Sequence, residues 1–182
     1  IYKENPIFTK ERQYIGFGIV DLEKDDTIDI YCRLQGTIQL STQKSGGKDL
    51  ENVKFYLRSN DVIISDAISD ENGTATINAP CFPLKPYSLQ VIYNCFLIDE
   101  QEIKLGLLNR LIDVKRDFLI ELYSLKLELK DTWYFPLEVD VNPKLTSSDM
   151  IEPIFINAEK TGDGLYKFSN LISGKYNLKM NY

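Results

Sequence analysis

A chain of 182 residues that is 43% hydrophobic and 12% aromatic has enough apolar side chain to core one large or two small domains, which excludes a disordered polymer. Its 21 basic residues are scattered among 27 acidic ones, and a net charge of −6 excludes the clustered positive field with which nucleic-acid binders displace counterions. Histidine is absent, so imidazole serves in no triad, metal site or general base, and no apolar stretch is long enough for a membrane-spanning helix.

From the N-terminus, Ile1 to Thr27 is the least patterned part, with one β-rich run, Tyr14 to Val20, closed by the charged turn Asp21 to Asp26. The chain starts at Ile1 without a basic-then-apolar leader, the expectation for a processed protein or a piece of a longer one. From Ile28 the alternation is clean: Ile28, Ile30, Cys32, Leu34, Ile38 and Leu40 share one parity, with Asp29, Arg33, Gln35 and Gln39 between them. That period predicts a long half-buried strand, broken at Ser45-Gly46-Gly47-Lys48. Further strands are expected over Val53–Leu57, Val62–Ile68, Thr74–Asn78, Tyr87–Cys95 and Phe96–Leu105. The turns between them are Ser59-Asn60-Asp61 and Asp70 to Gly73, the glycine supplying the positive φ that such turns need. Gly106 to Leu122 fits either a helical face or alternating strands; strands are preferred here because a strand would close the preceding module.

The remainder repeats what came before. Tyr123–Leu129 is an alternating first strand, Lys130–Tyr134 its turn, and Leu137–Val141 parallels Val53–Leu57. Pro143–Asp149 reads as a loop and Ile154–Ile156 as a short strand. The phrase Asp70-Glu71-Asn72-Gly73, Thr74–Ile77, Tyr87–Val91 then returns about ninety residues later as Gly162-Asp163-Gly164, Leu165–Phe168, Tyr176–Met180. Each saying is a tight turn, a short strand, a loop, and a strand that opens on tyrosine. Two copies of one β module are expected, over 1–110 (with an extra N-terminal segment) and 111–182, as an all-β pair of tandem Ig-like sandwiches.

These residues resemble the transthyretin-like, or carboxypeptidase-regulatory-like, β-sandwich of secreted and cell-surface proteins, over Gly36–Val91 and Leu122–Tyr182. The second copy carries the pattern best, in Phe168-Ser169-Asn170-Leu171 and Gly174-Lys175-Tyr176; the first departs from it, with Pro83 and Pro86 where a glycine would precede Tyr87. The resemblance implies an extracellular or cell-surface scaffold with no catalytic residues to carry over.

Little in the chain competes with that reading. No P-loop, HExxH or GxSxG occurs, and Gly16-Phe17-Gly18 lacks the third glycine of a dinucleotide fingerprint. The acids Asp25, Asp26, Asp29, Asp66 and Asp70 read as solvated turn residues, and no loop has the ligand spacing of a calcium site, so neither metal nor cofactor is expected. Cys32, Cys81 and Cys95 form no CxxC pair; Cys32 and Cys95 share the inward parity of their strands and are the candidate disulfide, or else two inert buried thiols. Asn72-Gly73-Thr74 is the single N-glycosylation sequon, on a predicted turn, and also reads simply as a turn Asn-Gly. Trp133-Tyr134-Phe135 is the one aromatic cluster placed in a loop and hence the candidate contact surface, for protein or carbohydrate. The expected function is a non-catalytic structural or assembly module outside the cell, with protein partners. Its rivals are a filament or surface-layer subunit joined by strand exchange through Ile1–Val20, and an accessory binding module of a secreted enzyme.

Overall fold

A computed structural model describes residues 14–15 (backbone), 33–81, 83, 85–136 and 141–180. The described residues form strands and one short 3₁₀ turn, and the fold is all-β. The chain divides into two compact units: the first takes the described residues up to Gln43, with Asp49–Val91 and Asp99–Phe118, and the second takes Lys44–Lys48, Ile92–Ile98 and Leu119 onward.

In chain order the strands of the first half are β1 (Tyr14–Ile15), β2 (Arg33–Lys44), β3 (Lys48–Asp49), β4 (Lys54–Ser59), β5 (Val62–Ile68), β6 (Thr74–Pro80), β7 (Tyr87–Tyr93), β8 (Phe96–Ile103) and β9 (Val114–Ile120). One sheet is built on β2, which pairs with β1, β3, β6 and β9; the other runs β5-β4-β7-β8. The register of β2 on β6, Ile38 opposite Ile77 and Leu40 opposite Ala75, puts the apolar parity of both strands on one face. Facing it are Phe55 and Leu57 from β4 and Leu89 and Val91 from β7, all without solvent exposure. The Phe55 and Phe118 rings, 5.7 Å apart, join the two faces, so the first unit is a β-sandwich. Two buried hydroxyls are paired: the Thr42 hydroxyl lies 2.6 Å from the Leu50 carbonyl, and the Ser69 hydroxyl donates to the same oxygen at 2.8 Å.

The second half contributes β10 (Tyr123–Glu128), β11 (Lys144–Thr146), β12 (Ile156–Asn157), β13 (Glu159–Gly162), β14 (Leu165–Leu171) and β15 (Asn177–Lys179). These make two three-stranded sheets, β10-β14-β13 and β12-β11-β15, between which Leu145, Phe168 and Leu171 form a buried cluster flanked by Ile156, Ala158 and Tyr176. The plan is that of the first unit. As β2 pairs β6, β10 pairs β14; as β5-β4-β7 are neighbours, so are β12-β11-β15.

The repeated phrase therefore holds as architecture. In each copy a positive-φ glycine, Gly73 or Gly164, launches a strand in one sheet, and the next strand lies in the other. The tyrosine near the start of that second strand braces the crossing: Tyr87 donates to the Pro80 carbonyl at 2.8 Å and Tyr176 to the Ile172 carbonyl at 2.7 Å. Burial raises both phenols, Tyr87 to about 12.

Four expectations are corrected. Pro143–Asp149 contains strand β11, whose Leu145 enters the core; three residues flanked by polar neighbours were too short a signal for periodicity. Gly106 to Leu122 is divided, a 3₁₀ turn at Leu107–Arg110 followed by β9, which explains why both periods fitted it. The short strand expected over Ile154–Ile156 begins only at Ile156. Cys95 lies outside both neighbouring strands: Asn94 and Cys95 are the two positive-φ residues of the tight turn joining β7 to β8, so the alternation of β7 ends at Tyr93. The same turn chemistry, Asn60-Asp61, joins β4 to β5.

Candidate functional site

The loop after β10 is the most unusual surface element among the described residues. Trp133, Tyr134 and Phe135 are 78%, 83% and 68% exposed, although apolar transfer favours burying such rings. Asp131 organises the loop. Its Oδ1 accepts from the Trp133 amide at 2.8 Å and from the Phe135 amide at 2.9 Å, an Asx turn. Backbone bonds close the base, Tyr134 N to Asp131 O at 3.1 Å and Asp131 N to Phe135 O at 2.9 Å, with a bridge between Lys130 and Pro136. Tyr134 takes a φ of 68°, a left-handed conformation costly for an aromatic residue. The loop is thus tied at its base and presents its rings outward.

A second surface feature lies on the β11 sheet. Lys144 and Lys179 stand directly opposite each other across β11 and β15, an arrangement that like charges oppose, and both ammonium groups lie 5.9 Å from the Phe155 ring centre. The negative face of the ring offsets part of that repulsion.

The remaining sequence candidates are placed as follows. Asn72 is exposed on the turn before β6, its amide donating to Asp70 Oδ1 at 3.0 Å. Hydrogen bonds from Thr74 and Asn72 hold the Asp70 carboxyl below its usual range. Gly73 admits no side chain, because a Cβ there would sit 2.3 Å from the Thr42 carbonyl oxygen. The candidate pair Cys32–Cys95 lies outside the described residues at Cys32, while Cys95 is a free, half-buried thiol and Cys81 a fully buried one that burial pushes up. Leu97, Ile98, Leu119, Ile120, Glu121, Ile172 and Ser173 line an open depression of about 200 Å³, below the size that encloses a cofactor-sized ligand. Among the described residues no cluster of three or more metal-ligating side chains occurs.

Sequence reasoning found the aromatic loop but missed its organiser, Asp131, whose signal is an acid two residues before Trp133 and four before Phe135. The paired lysines on Phe155 were also missed, since they depend on the register of β11 with β15.

No family model matches the chain, and no curated protein matches it in sequence. Among solved structures, the Bacillus anthracis TIE protein aligns at 14% identity and a TM-score of 0.35 over 93% of this chain and 35% of its own. The Streptococcal ancillary pilin aligns at 13% identity and 0.44 over 96% and 63%, and BcpA*(D312A), the major pilin subunit of Bacillus cereus, at 13% and 0.39 over 75% and 53%. The chain spans less than two thirds of each of these proteins, and likenesses at these TM-scores assign neither fold nor function.

Proposed function

We propose that the chain is a non-catalytic structural and assembly module acting outside the cell, made of two tandem β-sandwich domains of the transthyretin-like kind, over 1–110 and 111–182. One observation carries this reading: both units repeat the same strand pairing and the same tyrosine brace. A fold that spends its repeated residues on turns, core and crossings is organised to hold shape, and its distinctive side chains, Trp133 to Phe135, point to solvent, where partners are met. The test combines location with mechanics. Antibody against the chain should label intact cells, and pulling on the purified protein should give reproducible unfolding at forces that Gly73→Ala lowers. Labelling only after permeabilisation would overturn the extracellular setting, and turnover of a substrate the non-catalytic one.

The organised aromatic loop favours one second reading, an accessory module that stacks a sugar or a partner side chain on its rings. A glycan array probed with the protein and its Trp133→Ala variant separates the two, since binding that disappears with Trp133 belongs to the loop.

A further inference from the structure

The two units share a plan, but one position filled in the first is taken by no described strand in the second. In the first, β2 is flanked on both sides, by β6 and by β9, and its inward residues Ile38 and Leu40 are 0% and 2% exposed. In the second, the counterpart β10 pairs only with β14 among the described strands. Leu125 lies opposite the fully buried Phe168 and so faces the core, yet it remains 44% exposed. Among the described residues, β10 thus lacks the strand that β9 supplies to β2.

The free edge carries its own register. Leu129 N–H donates to Gly164 O at 2.8 Å, and antiparallel ladders alternate, so Leu125, Leu127 and Leu129 turn their backbone groups toward β14. Ser124, Lys126 and Glu128 therefore turn theirs outward. A second β10 laid antiparallel along this edge must pair these outward residues with one another. Only a few registers do so. One sets Lys126 against Lys126, another Glu128 against Glu128, and both are repulsive. The register centred on Leu127 sets Lys126 of each copy against Glu128 of the other, twice by symmetry, and Ser124 against Lys130. Within its own sheet Lys126 already faces a like charge, Lys167, so an acid on its open side is favourable.

We propose that β10 is the seam of a two-fold dimer, a second copy of this chain pairing antiparallel through Lys126 and Glu128 so that the two β10-β14-β13 sheets become one. This rests on the reading of the chain as an assembly module and names its partner as the chain itself. The contact is isologous, the kind that closes a dimer. It gives the exposed faces of Leu125 and Leu127 their counterparts from the other copy, and it carries each aromatic loop, which follows Lys130 directly, toward the start of the partner strand where Tyr123 is exposed.

Sedimentation of the full chain over micromolar to millimolar concentrations tests the proposal, with Lys126→Glu, Glu128→Lys and the double exchange as variants. The wild type should dimerise, each single reversal should weaken the dimer about tenfold or more by placing like charges opposite each other twice, and the double exchange should restore it. Lys126→Glu faces Lys167 in its own sheet, so its thermal melt should not fall, which separates lost pairing from lost folding. A wild type that stays monomeric throughout, or a dimer indifferent to both single reversals, overturns the proposal. Either result leaves the extracellular structural reading intact, since surface labelling tests that separately.

Discussion

Strands β2 and β10 do the same job in different company. Both pair with the strand that follows the positive-φ glycine of their unit. Yet Leu40 on β2 is 2% exposed and Leu125 on β10 is 44% exposed. The residue type is the same, as is the alternation, so strand identity does not decide burial. What decides it is whether the sheet continues past the strand. A leucine on the outermost described strand of a sheet keeps solvent on one side however well its cross-strand neighbour is packed.

That contrast can be broken by substitution. Leu40→Ala should cost about 2–5 kcal/mol in denaturant unfolding, because it deletes methyl groups from a closed core, whereas Leu125→Ala should cost less than about 1 kcal/mol at concentrations where the chain is monomeric. Similar costs at the two positions would show that Leu125 is as enclosed as Leu40.

The turn before β6 offers the next effect. Gly73 combines a φ of 68° with a Thr42 carbonyl 2.3 Å from where a Cβ would sit. The left-handed conformation alone costs an L-residue about 1–2 kcal/mol, and the clash adds to it, so Gly73→Ala should lose more than about 2 kcal/mol. Gly46, with a φ of 100° but nothing within 4 Å of the added carbon, should lose only the conformational part. Equal losses at the two glycines would mean that the contact with Thr42 yields.

The tyrosine braces sharpen the comparison at the smallest scale. Tyr87 is 2% exposed and Tyr176 half-buried, so removing the hydroxyl should cost about 1–3 kcal/mol at the first and less than about 1 kcal/mol at the second, read from melts of the Phe variants. Alkaline titration gives the sign independently. The folded protein holds the Tyr87 proton to about 12, above the unfolded phenol near 10, so this contribution is complete below about pH 10 and disappears as the pH rises toward 12. Tyr87→Phe should flatten that part of the stability curve, and an unchanged alkaline slope would remove Tyr87 as its cause.

Much of the fold was legible because its signals are local. Two-residue alternation marked the inward faces of β2 and β6, Gly73 and Gly164 marked turns that only positive φ can close, and the repeated tyrosines marked the strands that follow them. The aromatic loop was visible as composition, although its shape depends on Asp131 accepting two amides that only the folded turn brings together. Strand β11 was not legible, because three residues carry no period, and Leu145 is core only through its place between β12 and β15.

By itself the sequence determined that this is an all-β chain saying one module twice, with turn glycines and strand tyrosines in matching places. Those properties follow from backbone sterics and from alternation along a single strand. The tertiary structure alone decided which strands lie beside one another, and hence which leucines are enclosed. It set Lys144 against Lys179 over one ring, tied Trp133 to Phe135 on Asp131, and, among the described strands, left β10 without the neighbour that β2 possesses. Pairing between strands is a long-range choice that no local period encodes, and the surface that remains for partners is a consequence of that choice.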